Sequence, residues 1–292
     1  MHHAILGAGG VGGFMAACLA HIGEDVTLVV RPETLATHPP KIQLESPYGN
    51  WTADVAWAAS VPGCDVLWLT MKATQLDGAL QPITNVASIR NVVPLLNGLD
   101  HLPVLRAKFG ADRVIPATIA GEFERVSVGH FVHRTKFGVL NLSSQGRELL
   151  QPIADRLRAL GLSCKFIDDE ATLMWSKLVF LGPIALTTTA FDRTVGEVVA
   201  DPASWRQLEG AVRETAAAAQ AEGAKVDAAE VLERFKSSGP STMRSSMQKD
   251  VEHGRPPELD AIGGAIVRAA QRHGLSAPTI EELMVAIRRK LR

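Results

Sequence analysis

Apolar and polar positions alternate in two different ways along this chain, and the change falls near residue 168. Before it, short apolar runs alternate with segments of helical spacing, the pattern of an α/β domain with a largely parallel sheet. Ala4–Leu6 is a short apolar run, followed by a glycine turn and a small-residue helix ending near Gly23. Asp25–Val30 is the next predicted strand, and Ile42–Val55 reads as a hairpin turning at Ser46-Pro47-Tyr48-Gly49-Asn50. Asp65–Met71 is continuously apolar, as a strand buried on both faces must be. Val92–Leu96, Val114–Ile119 and Phe137–Leu142 are further strands, with helices near Leu76–Val86, Leu102–Phe109 and Glu148–Leu160, the last stopping at Gly161.

From Asp168 onward the strand signals vanish. Ala171–Thr188, Trp205–Glu222, Ala228–Lys236, Leu259–His273 and Ile280–Leu291 carry helical spacing, with Gly182-Pro183 expected to interrupt the first of them. The fold class is therefore α/β: an N-terminal Rossmann-type α/β domain over 1–167, then an all-helical C-terminal domain over 168–292.

A length of 292 residues accommodates two ordinary domains. With 46% of residues hydrophobic and 21% charged, the composition is that of a soluble globular protein. Thirty basic residues against 31 acidic ones give no sign of a nucleic-acid surface or a polybasic membrane patch. Cys18, Cys64 and Cys164 lack metal-ligand spacing, so reduced thiols and no metal site are expected. No signal-peptide pattern is present, and charge or polar residues interrupt the apolar stretches before a bilayer is spanned. A cytoplasmic protein is predicted.

The first chemistry-bearing motif is Gly7-Ala8-Gly9-Gly10-Val11-Gly12, placed between a predicted strand and a predicted helix. Gly7 suits a tight turn, Gly9 lets backbone approach a pyrophosphate, and Gly12 lets helix and strand pack closely. Free N–H groups and the dipole at the helix start favour phosphates. Gly7, Gly9, Gly10, Val11 and Gly12 are thus the candidate cofactor-binding residues. At the end of the second strand, where an NAD site usually carries an acid, this chain has Arg31, which favours the 2′-phosphate of NADP (NADPH). The structural alternatives are a glycine-rich turn without a ligand and a solvated surface arginine.

Ordered blocks extend the picture: Met71-Lys72, Leu96-Asn97-Gly98, Trp175-Ser176-Lys177-Leu178, Ser245-Ser246-Met247-Gln248-Lys249-Asp250 and Glu258-Leu259-Asp260. With the glycine motif and Arg31, they make a chain that resembles the ketopantoate reductase (2-dehydropantoate 2-reductase) family over nearly its whole length. The resemblance implies NADPH-dependent reduction of a small 2-keto acid in a cleft between a Rossmann domain and a helical domain. It implies Lys177 as general acid, Ser246 holding the substrate carboxylate, and Glu258 orienting substrate and lysine. It also implies Lys72 and Asn97 lining the cofactor and substrate cleft from the first domain. Hydride addition builds negative charge on the carbonyl oxygen, which a nearby ammonium stabilises and protonates. Burial lowers the pKa of such a lysine and Glu258 raises it, and either effect can prevail.

Each of these residues also has a structural reading. Lys177 can be a snorkelling surface lysine, Lys72 a loop residue, Ser246 a helix-start residue, and Glu258 a first-turn acid after Pro256-Pro257. The chain also departs from the family pattern. Where asparagines follow the lysine by four and eight residues on the same helical face, it has Leu181 and Ala185, which are expected to make an apolar wall of the cleft and weaken the implication of ketopantoate itself. The leading expectation is a ketopantoate reductase-like enzyme acting on a 2-keto acid. Ketopantoate reductase proper, serving pantothenate synthesis, and a non-catalytic NADP-binding sensor stay open. The expected partner is a small molecule, with a homodimer possible only by analogy among helical-domain dehydrogenases.

Overall fold

The computed structural model describes residues 1–237 and 241–291. By its contacts the chain divides into two compact units. One comprises Met1–Leu96 and His101–Asp168; the other comprises Asn97–Asp100 and Asp169–Arg292.

The first unit is α/β and Rossmann-like. Five parallel strands run in the spatial order Ala56–Ala58, Asp25–Val29, His2–Leu6, Cys64–Leu69, Ile89–Pro94. The first strand in sequence is central, and its residues Ala4 and Ile5 are fully buried. Between it and the next strand lies the helix Gly10–His21, whose residues Gly12–Leu19 are all buried. A helix apolar all round must be enclosed on all sides, and that sequence of Ala, Met, Phe, Cys and Leu permits it.

The expected largely parallel sheet is present, and two smaller sheets accompany it. The hairpin Ile42–Glu45/Trp51–Ala53 forms as predicted, but it belongs to a separate four-stranded sheet completed by His130–His133 and Phe123–Ser127. A third sheet joins Ser163–Ile167, Val139–Ser143 and Ala117–Ala120. The strands Phe123–Ser127 and Ser163–Ile167 escape sequence inspection because charge interrupts them, and one is largely solvent-exposed.

Among its described residues the second unit is helical. Its longest helix, Glu170–Phe191, is capped by Asp169, whose carboxylate accepts the Ala171 N–H and the Thr172 hydroxyl. The predicted interruption at Gly182-Pro183 does not occur: the helix continues to Phe191 and ends at Asp192 in the left-handed region, φ 53°. An interior proline costs a helix about 3 kcal/mol. Here Pro183 is buried within the unit, and packing outweighs the lost hydrogen bond. Three buried threonines, Thr187, Thr188 and Thr189, satisfy their hydroxyls on the carbonyls of Pro183, Ile184 and Ala185. This helix is long and apolar enough to cross a membrane on composition alone, but 67% of that window is buried, as befits a core helix.

Candidate active site

At the carboxyl ends of the parallel strands, the first unit gathers the residues expected to hold a dinucleotide. Gly7 follows the central strand with φ +110°, a conformation that disfavours any side chain, and its N–H bonds to the Val29 carbonyl at 3.2 Å. Thr70 closes the turn from below, donating to the Gly7 carbonyl at 2.7 Å. A Cβ on Gly12 would strike the Gly7 carbonyl, and one on Gly10 would strike the Phe123 carbonyl. Those glycines are required by the fold.

Gly9 is different: a Cβ there would meet nothing within 4 Å. The protein itself does not demand glycine at that point, whereas a phosphate approaching the backbone would. Gly9 also begins the helix Gly10–His21 without a side-chain cap, so the first-turn N–H groups remain available. A dinucleotide pyrophosphate fits this cradle. Arg31 is exposed, ends the second strand's apolar run, and forms no ion pair with a described residue. Lys72 is half-buried, at the start of the short turn of helix Ala73–Gln75.

The second unit brings together three of the residues named from the sequence. Lys177 lies on the long helix, Asn97 in the loop Asn97–Asp100, and Glu258 just before the helical segment that starts at Leu259. Lys177 Nζ donates to Asn97 Oδ1 at 2.8 Å, and Asn97 Nδ2 donates to Glu258 Oε2 at 2.8 Å. The amide is thereby fixed in orientation: oxygen toward the ammonium, nitrogen toward the carboxylate. Burial lowers the Lys177 pKa to about 8, against the opposing pull of Glu258. Of the two influences left open by the sequence, desolvation wins.

The loop carrying Asn97 is held firmly. The backbone at Gly98 has φ +82° and passes so close to the Ala261 carbonyl that a Cβ would collide with it. Asp100 pairs with Arg268 at 2.6 Å, and Arg268 also holds Asp260 at 3.0 Å. Asp260–Gly264, beside Glu258, is a π-helical turn, a distortion frequent at functional sites. The sequence pattern did not single out Asp100 and Arg268. Their charges are ordinary surface charges until the fold brings them together.

Ser246 is not among the hydrogen-bond partners of this trio. It is exposed, the first residue of the helix Ser246–Glu252. Ser245 caps that helix by accepting the Gln248 N–H at 3.1 Å, and its hydroxyl is tied to Thr188 at 2.8 Å. The helix bearing Lys177 thus also anchors the turn presenting Ser246. Leu181, one turn beyond Lys177, is half-buried. Ala185 is fully buried in the helical core, so it is not an exposed wall residue. Among the described residues no group of three or more His, Cys, Asp or Glu side chains is placed to hold a metal.

A dinucleotide-binding α/β unit followed by a helical unit with a half-buried, hydrogen-bonded lysine is the make-up of an oxidoreductase. The particular family follows from comparison: the chain belongs to the ketopantoate reductase family. The model described as Ketopantoate reductase PanE/ApbA matches residues 3–145, and its C-terminal counterpart matches residues 170–291. Among relatives, an uncharacterized oxidoreductase, YkpB, of Bacillus subtilis is 28% identical, the alignment covering 96% of each chain. A 2-dehydropantoate 2-reductase of Caulobacter vibrioides is 29% identical over 94% of each chain. Among solved structures, the ternary structure of D-mandelate dehydrogenase with NADH and anilino(oxo)acetate is similar, with TM-score 0.88 at 22% identity, covering 100% of this chain and 98% of that one.

Proposed function

We propose that this protein is an NADPH-dependent reductase that converts a small 2-keto acid to the 2-hydroxy acid, with Lys177 as proton donor. The observation that carries the reading is the chain of hydrogen bonds Lys177–Asn97–Glu258, which aims a desolvated ammonium and holds it in place. When bound, the dinucleotide supplies a hydride.

Lys177 supplies the proton. As negative charge grows on the carbonyl oxygen, the ammonium stabilises it and then protonates it. A pKa lowered to about 8 makes Lys177 a stronger acid than an ordinary lysine while leaving it mostly charged at neutral pH. Asn97 occupies one of the ammonium's donors, which directs the others, and the Glu258 carboxylate limits the fall in pKa. The Ser246 hydroxyl, at an exposed helix start, suits a carboxylate, in keeping with the family resemblance. Gly9 and the first turn of its helix receive the pyrophosphate, and Arg31 receives a 2′-phosphate, which favours NADPH over NADH.

The substrate's tail is apolar in this reading. Leu181 stands one turn from Lys177 where the resemblance implies an amide, and D-mandelate dehydrogenase, a structural neighbour, is named for an aromatic 2-hydroxy acid.

Turnover tests the proposal. NADPH oxidation with ketopantoate and with 2-keto acids bearing aliphatic and aromatic tails should show activity, highest for the apolar tails. Lys177→Ala should lower kcat by roughly 10²–10⁴-fold with little change in NADPH affinity. A folded Lys177→Ala protein that turns over normally would exclude Lys177 as the acid.

A further inference from the structure

The strand Phe123–Ser127 lies at the edge of its four-stranded sheet, bonded on one side only, to His130–His133. Its first residue is pressed against the glycine helix, since the Phe123 carbonyl fills the space where a Gly10 Cβ would stand. Side chains alternate along a strand, so Arg125 emerges on the same face as Phe123. There its Nη1 donates to the Ala8 carbonyl at 3.4 Å. Glu124 emerges on the other face, where it pairs with Arg134 at 2.6 Å. Arg125 is exposed and forms no ion pair with a described residue.

A permanent cation therefore stands on the glycine turn, one residue from Gly9 and its open face. A guanidinium is a rigid fork of several N–H donors, of which the Ala8 carbonyl engages one. The remainder can reach a phosphate oxygen without giving up the backbone contact, which the point charge of a lysine could not do as well. The partly negative Ala8 carbonyl would itself repel an anion at the turn, and the guanidinium offsets that repulsion.

We propose that Arg125 is a pyrophosphate-binding residue, clamping the dinucleotide from the edge strand opposite the helix N-terminus. The proposal rests on the reading of the glycine turn as a dinucleotide site. It assigns Arg125 and Arg31 different tasks. The pyrophosphate is common to NADPH and NADH, so Arg125 contributes affinity without discrimination; Arg31 reads the 2′-phosphate.

Calorimetric binding, with competition for weak ligands, tests this on wild type, Arg125→Gln, Arg125→Lys and Arg31→Gln. The probes are NADPH, ADP-ribose and adenosine 2′-monophosphate. Arg125→Gln should weaken NADPH and ADP-ribose alike by roughly tenfold and leave adenosine 2′-monophosphate within about twofold. Arg125→Lys should recover part of the loss, and Arg31→Gln should show the reverse pattern. Unchanged ADP-ribose affinity in Arg125→Gln overturns the assignment. So does an equal loss for adenosine 2′-monophosphate, because that marks a distorted turn. A wild-type chain that binds neither NADPH nor ADP-ribose overturns the dinucleotide reading and the Arg125 assignment together.

Discussion

Lys177 sits between two opposed influences, burial that favours its neutral form and a Glu258 carboxylate that favours the charged one. With Lys177 as the proposed proton donor, the balance sets the pH at which that donor is lost. Reduction needs the ammonium, so kcat/KM for the free enzyme should fall as pH rises through about 8. Glu258→Gln removes the influence that raises the pKa, so this alkaline limb should move to lower pH by about one unit or more. A pH–rate profile of the variant checks the direction. A limb that stays in place, or moves up, would mean that Glu258 does not act on the lysine. Lys177 and Glu258 were singled out in the sequence by the ordered motifs that carry the family resemblance. Their coupling was not, because it depends on the orientation of one amide, Asn97.

At the scale of elements, the central strand His2–Leu6 carries a fully buried histidine. Trp68 Nε1 donates to His3 Nδ1 at 3.0 Å, so the other ring nitrogen bears the proton and faces Glu24 at 3.3 Å. Burial lowers the His3 pKa from 6.5 to about 4, with Glu24 opposing. The unfolded chain takes up a proton near 6.5 that the native strand refuses until about 4. Stability should therefore be lost as pH falls through that window, by on the order of 3 kcal/mol from this group. Denaturant unfolding at pH 7 and pH 4.5 measures the loss. His3→Asn should flatten that dependence whatever its effect on absolute stability, and an equally steep loss in the variant would refute the account. The same scale explains the helix Glu170–Phe191. Local propensity argues for a break at Pro183, but burial of the surrounding face is a tertiary term that propensity does not contain.

For the molecule as a whole, a ligand that binds only the native state raises its stability. At a concentration about 100 times Kd the gain is about 2.7 kcal/mol. With equal concentrations added, NADPH should raise the Tm more than NADH does. Arg31→Asp should abolish that difference while leaving the NADH shift in place. Equal shifts from both cofactors in the wild type would remove the assignment of NADPH.

The glycine turn, Arg31 and the change of hydrophobic period near residue 168 belong to the sequence alone, because each depends on residues adjacent or within a few turns of one another. Period, turn chemistry and capping are local, so the α/β unit, the helical unit and the glycine turn at the end of the first strand could be read in advance. The division of the α/β unit into three sheets could not, since strand partners are chosen by packing. The same holds for Asn97, which joins Lys177 and Glu258 across separations of 80 and 161 residues. It holds for Ala185, whose helical position suggested an open wall and whose neighbours bury it. It holds for Arg125, an unremarked charge in the sequence until its strand is laid against Gly10. Contacts of such long range carry a chain-entropy cost that only the assembled core offsets, so no local pattern encodes them.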